Sequence, residues 1–437
     1  MMTEQKKDFS SSFSVIEQRM LELNYLNPSA DILSRALTFK GNFNISLFKE
    51  AVRKVVNNYR ILTCRYSTFE EKRVFHEVDL DYMDMSEANN DRILNFIQQY
   101  ISSPMQLSDD HLLCLNLFKC KNSEYIFLTK LQHIVADGVS LSLVFEEILR
   151  GYFHLLKGDK LKVALPNVEF SDYRSFESAY LTTEDGFKDK LFWEQKLASQ
   201  NVPVVPDMTA TVSLSCDMFS QELSEDELLV VYKIIEDMDV TLVSYLTAAY
   251  QQTLSEWLDH RYCLSFSMSL RRREEHRYIV GPMFRYANLA VRENECWGDK
   301  IIRLSTEIKE ALDTIYASDT IGPHGSIGNY LPPQYCYLIN YLNLKRNRGA
   351  FDTGLIGNAS SWIRLADDLK IKTIRLQTRL TPYGMYLSIG NFGDRLSVDF
   401  IYNRSCFSRE QVKNFSLRWK NRLLYGDSCD DIPVSVK

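Results

Sequence analysis

The stretch from Glu124 to Leu156 restricts the fold more than any other part of the chain. Glu124 to Leu131 reads as a strand, and Val139 to Leu156 carries Leu143, Val144, Ile148, Tyr152 and Leu155 on one helical face, with Glu146, Glu147 and Arg150 on the other. Only the turn QHIVADG separates the two, so a strand must give way to a helix within that turn. Leu112 to Lys119 lies just upstream across the polar turn Lys121, Asn122, Ser123, which predicts a hairpin ending where the turn begins.

Strands and helices stay interspersed along the chain. Ser46 to Asn58 predicts a helix with Ser46 as N-cap, and RILTCRY and RVFHEVDL after it predict two strands. Ser171 to Leu197 reads as helical, and the polar, proline-bearing stretch 198–211 is the best candidate for a linker between lobes. Beyond it, 224–238, 242–258, 300–316 and 408–424 predict helices, the last capped by Ser408. Tyr262 to Leu270 and Gln334 to Asn343 predict strands, and 386–389 with 395–402 a hairpin around GNFGD. The expected class is mixed α/β (α+β), with lobes at 1–197 and 212–437.

Composition removes several function classes. With 437 residues, 45% apolar and 25% charged, and only 17 Gly and 11 Pro, the chain is neither disordered nor collagen-like. A net charge of −6 argues against a protein that holds nucleic acid or an anionic membrane. The nine cysteines form no C-x-x-C pair and read as reduced core thiols, which places the chain in the cytoplasm. No export signal and no run of 18 apolar residues is present, so no membrane span is expected.

The sequence lacks G-x-x-x-x-G-K-[ST], G-x-G-x-x-G and G-x-S-x-G, and none of its seven histidines has a metal-ligand spacing. One constellation is left. His133 sits where the strand yields to the turn, followed by Asp137 and Gly138. A histidine there can project into a cleft and move a proton at neutral pH, Asp137 can pair with an arginine to fix the turn, and Gly138 permits a backbone bend. By spacing alone, a catalytic histidine and an ordinary core histidine are equally compatible with this pattern.

The segment Gln132 to Gly138 resembles the H-H-x-x-x-D-G signature of the condensation-domain superfamily of nonribosomal peptide synthetases, whose fold is that of chloramphenicol acetyltransferase. Further resemblances follow in the family's order: YRILTCRY to H-x-x-L-R-T-R-F, FSDYRSF to Y-x-D-Y-A-x-W, then Phe192-Trp193, SLRRREE, VGPMF and GDRLSVDFIYNRSCFSREQV. Together they run from about Tyr59 to Leu424. The resemblance implies two acetyltransferase-like lobes in a V-shaped pseudo-dimer with a central tunnel, and His133 midway along it. It implies a free-standing condensation enzyme that joins an acyl thioester on a carrier protein's phosphopantetheine arm, met in trans, to a small-molecule amine or alcohol. It also implies no cofactor or metal of its own, and a monomer.

Three enzyme readings and one non-enzymatic reading stay open at this point: amide or ester formation from a carrier, acyl transfer from CoA, epimerisation, and a platform that only docks carriers. The family's first His is Gln132, which hydrogen-bonds but cannot become cationic. The first Arg of the family's L-R-T-R-F is Thr63, so Arg65 and Arg292 become the candidate partners of Asp137. Gln132, Arg65, Arg292 and Asn340 form the expected substrate-binding or supporting set around His133, Asp137 and Gly138. Arg271, Arg272 and Arg273 read as a solvated charged face or a docking patch, and Trp193 as core.

Overall fold

The computed structural model describes residues 13–26, 32–67, 72–107, 111–161, 167–198, 213–318, 333–343, 362–366, 368–374, 376 and 380–427. Its N-terminal half runs α1 (Val15–Leu26), β1 (Ile32–Gly41), α2 (Ile45–Val56), β2 (Cys64–Ser67), β3 (Lys72–Phe75), β4 (Leu80–Asp84), α3 (Asn90–Ser102), β5 (Leu113–Lys119), β6 (Glu124–Gln132), α4 (Gly138–Leu156), α5 (Phe170–Tyr180) and α6 (Glu184–Ala198). The C-terminal half runs β7 (Cys216–Leu223), α7 (Glu225–Asp237), α8 (Leu242–Trp257), β8 (Cys263–Ser269), β9 (Phe284–Leu289), α9 (Trp297–Asp313), β10 (Cys336–Asn343), β11 (Ile363–Ala366), β12 (Leu369–Ile374), β13 (Met385–Asn391), β14 (Leu396–Asn403) and α10 (Arg409–Tyr425).

Two six-stranded sheets result, ordered β11-β12-β1-β6-β5-β4 and β7-β14-β13-β10-β8-β9, beside a small β2-β3 ribbon. The first sheet is covered on both faces, so β6 is buried without alternation from Ile126 to Gln132. On one face Ala36, Phe118 and Leu128 pack with Ile93 and Ile97 of α3. On the other, Leu37, Phe39 and Phe127 pack in the core that includes Val52 of α2 and Val144 of α4. Each such side chain contributes about 1.5–3 kcal/mol when fully buried. The α3 face also takes in Lys130, whose ammonium donates to the Tyr100 and Ser103 carbonyls at 3.0 and 2.8 Å, where the negative end of α3 favours a cation.

Several local expectations change. The N-cap of α2 is Asn44, whose side chain accepts from the Leu47 N–H at 3.1 Å, two residues before Ser46. Arg60–Thr63 forms a 3-10 turn before β2 begins. The helix expected over 171–197 is two helices, because Thr183 Oγ1 accepts the Gly186 N–H at 3.0 Å and starts a new one. Ser408 caps α10 as expected, and Ser224 caps α7 in the same way, each in a reciprocal bond with the residue three positions on. Of the linker 198–211, all but Ala198 lies outside the described residues.

The lobes are not consecutive in the chain as the division at 212–437 implies. β11 and β12, from the C-terminal half, complete the N-terminal sheet: β12 pairs antiparallel with β1, from Ala36 opposite Ile374 to Gly41 opposite Leu369. This pairing covers an edge that β1 would otherwise expose. It depends on Gly41, which adopts φ +119° and whose added Cβ would lie 1.7 Å from the Asp368 carbonyl oxygen. Gly41→Ala is expected to lower the unfolding free energy by about 1–3 kcal/mol, the cost of forced overpacking. Urea denaturation of the two proteins checks this.

Candidate active site at the lobe junction

The turn between β6 and α4 is built around buried apolar residues. Ile134, Val135 and Ala136 are buried, the Val135 N–H bonds back to the Gln132 carbonyl at 3.1 Å, and Asp137 caps α4 by accepting the Ser140 N–H at 2.8 Å. From Leu131 to Asp137, His133 alone keeps accessible surface. Its ring meets Phe284 of β9 edge to face, with centroids 4.8 Å apart. The histidine of one lobe therefore lies against an aromatic wall of the other.

Asp137 makes the turn part of the lobe junction. Arg271, just after β8, reaches its Oδ2 at 2.6 Å and its Oδ1 at 3.0 Å, and the Met283 N–H donates to Oδ2 at 3.2 Å. Arg271 also donates to Ser140 Oγ and the Ile279 carbonyl, both at 2.9 Å, and Ser140 Oγ accepts the Gly281 N–H at 3.0 Å. Burial on its own would raise the Asp137 pKa, but the Arg271 charge and the bonds from Arg271 and Ser140 outweigh it and hold the carboxyl below its ordinary value.

The partner of Asp137 is thus Arg271, and neither Arg65 nor Arg292. Arg65 stands on β2 opposite Val74, on the small ribbon. Arg292 is exposed beyond β9, on a separate cavity of about 1140 Å³ whose lining includes His260, Cys263, Glu295 and Lys300. Of the three arginines read as a charged face or docking patch, Arg272 and Arg273 are exposed while the Arg271 side chain is buried to 6%. The run SLRRREE begins at the end of a buried strand, which was the available signal that its first arginine turns inward.

The other expected residues take distinct places. Gln132 is buried, and its carboxamide nitrogen donates to the Met105 carbonyl, so it braces the end of β6. Asn340 of β10 keeps accessible surface and donates to the Tyr386 hydroxyl at 3.0 Å. Gly138 is not one of the positive-φ glycines, so the bend does not need it. Instead a Cβ added there would meet nothing within 4 Å, which leaves open space at the start of α4. Its N–H lies in the first helical turn, where no intrahelical acceptor exists.

Further bonds cross the same junction. Arg285 of β9 pairs with Glu177 of α5, both buried, and Glu177 also accepts from the Tyr173 hydroxyl at 2.9 Å and the Val15 N–H at 2.8 Å. The buried Trp193 of α6 donates to the Thr314 carbonyl at 3.1 Å. Among the described residues no group of three His, Cys, Asp or Glu side chains is placed to hold a metal, and no helix is long and apolar enough to cross a membrane.

Comparison with known proteins places this geometry. A family model described as Condensation domain matches residues 12–425. Tyrocidine synthase 2 of Brevibacillus parabrevis is 23% identical over 426 residues, covering 93% of this chain but 11% of that protein, so the chain spans about a tenth of its length. The structure of VibH, a nonribosomal peptide synthetase condensation enzyme, superposes with a TM-score of 0.71 at 17% identity, covering 94% of this chain and 95% of that one. The X-domain from teicoplanin biosynthesis gives 0.78 at 15% identity, covering 99% and 97%. The two acetyltransferase-like lobes are the fold these structures share.

A depressed carboxyl stabilises the fold above its unfolded pKa and loses that contribution as the pH falls through its folded pKa. Asp137→Asn is expected to cost about 3–5 kcal/mol near pH 7, because it leaves Arg271 buried without a counter-ion. The gap should hold down to about pH 4, the ordinary carboxylate range, and close below it. Urea denaturation of both proteins across pH 3–7 measures it.

Proposed function

The chain belongs to the condensation-domain family, and from that membership we propose that it joins an acyl group, presented as a thioester on a carrier protein's phosphopantetheine arm, to an amine or alcohol acceptor. The observation that carries the reading is His133, accessible in a turn whose residues from Ile134 to Asp137 are buried and which is bolted across the two lobes. A side chain held so from behind and open in front suits a proton-transfer group facing a channel.

A thioester is already activated, so much of the work is positioning. Holding donor and acceptor in reacting geometry supplies up to about 7–11 kcal/mol in the best intramolecular cases. The acceptor nitrogen or oxygen attacks the acyl carbon, the C–S bond breaks, and the arm leaves as a thiol. His133 takes the proton that the acceptor must lose and returns it to the departing sulfur. The Gly138 N–H, at the positive end of α4, is the candidate donor to the oxyanion of the tetrahedral intermediate. Asp137 contributes by position: it holds the turn and does not touch the reactants. Gln132 in place of the family's first histidine fits this division of labour, since its carboxamide serves Met105 and points its chemistry at the scaffold.

The test is a mass-spectrometric assay of wild type, His133→Ala and His133→Asn with acyl thioesters on a carrier protein and a mixture of amines and alcohols. Wild type is expected to form an amide or ester, and both variants about 10²-fold less or lower still, the contribution of one proton-transfer group. Equal product from wild type and variants overturns the role of His133. A preference for CoA thioesters over the carrier-bound donor overturns the carrier assignment.

A further inference from the structure

The sequence of β1, ILSRALTFKG, places Arg35 in its inner part and a second cation, Lys40, at its exposed end, where it pairs with Glu124. Leu37 and Phe39, two and four residues on, belong to the α2 and α4 face of the sheet, and alternation puts Arg35 on that same face. Its guanidinium runs under the first turns of α4. It donates to Ser142 Oγ at 2.9 Å, approaches the Gly138 carbonyl at 3.5 Å and sits 5.8 Å from the Phe145 ring centroid. No carboxylate lies within ion-pairing distance among the described residues. Asp137, one residue before this contact, is taken up by Arg271.

The other buried arginines of this lobe junction show what is missing. Arg271 has Asp137, Arg285 has Glu177 and Arg174 has Glu17, each an ion pair inside the protein. Removing a cation from water without an opposing charge costs several kcal/mol. At Arg35 the cost is compounded by the positive end of α4. Burial lowers its pKa to about 10 with no acid to offset the effect, yet that still leaves it cationic near neutral pH. Surrounded by protein, Arg35 nevertheless keeps some accessible surface, as does Gly138 with the open space in front of its Cα. The guanidinium is thus enclosed by protein without being sealed from solvent, beside the open space at Gly138.

We infer that Arg35 receives a carboxylate carried by one of the two substrates, at the wall of the reaction channel beside Gly138. This deepens the condensation reading and rests on it for the word substrate. A planar guanidinium, already oriented by Ser142 and Gly138, matches a carboxylate in a fork geometry, and the α4 dipole favours the same charge. The acid can belong to the acyl donor, as in a dicarboxylic half-thioester, or to the acceptor, as in an amino acid.

Two acid and amide pairs separate these sources. The donor pair is glutaryl and glutaramoyl N-acetylcysteamine thioester; the acceptor pair is 4-aminobutanoate and 4-aminobutanamide. Binding to the full chain is measured by titration calorimetry for wild type, Arg35→Met and Arg35→Lys, with product followed by mass spectrometry. In one pair wild type is expected to bind the acid about tenfold more tightly than the amide, a 1.4 kcal/mol difference. Arg35→Met should bring that ratio within twofold and Arg35→Lys should keep part of it. The inference is overturned if wild type binds acid and amide alike in both pairs, if it binds neither acid, or if Arg35→Met keeps the preference. Wild type alone tests it should Arg35→Met fail to fold. Acid preference without product in any mixture sustains Arg35 and removes condensation, while product without acid preference does the reverse.

Discussion

The ion pair between Asp137 and Arg271 is the interaction on which the site depends. One carboxylate caps α4, fixes the turn that carries His133, and accepts two bonds from an arginine 134 positions away in the other lobe. A buried pair of this kind adds little net stability over an apolar replacement, because desolvation offsets the attraction. What it adds is geometry. Either partner left alone is an uncompensated charge, so the turn and the loop 270–283 have one low-energy arrangement. The ring of His133 is thereby held against Phe284 across the junction.

The same logic orders the rest of the junction. Glu177 and Arg285 tie α5 to β9, and the β11–β12 hairpin carries the C-terminal half back into the N-terminal sheet. These contacts tie one lobe to the other. Against that background of compensated charge, Arg35 stands apart, with a hydroxyl and a carbonyl where its neighbours have carboxylates. The lobe junction therefore holds a fixed histidine and a fixed cation near the start of one helix.

How much of this was legible in the sequence depends on range. The strand, turn and helix around His133 follow from local periodicity, and the structure places β6 and α4 where that periodicity puts them. Ser408 was readable as a cap because capping is a four-residue event. The N-cap of α2 was misplaced because Asn44 and Ser46 both have capping side chains and spacing alone does not choose between them. The end of a buried strand hinted that Arg271 turns inward, but nothing local marked it out among 27 arginines as the partner of Asp137, which is distant in sequence. The return of β11 and β12 was invisible for the same reason: strand pairing across the whole chain leaves no periodic trace in either strand. Arg35 did carry a signal, a cation between apolar residues inside a strand, but its meaning required knowing that no acid among the described residues meets it.

A double-mutant cycle on Asp137 and Arg271 tests the central claim most directly. Asp137→Asn, Arg271→Met and the double variant would each be unfolded in urea near pH 7 and compared with wild type. If the pair fixes the turn, the double variant is more stable than the sum of the single losses allows, with a coupling of about 2–3 kcal/mol. Losses that add within about 0.5 kcal/mol would show two independent residues and contradict the account.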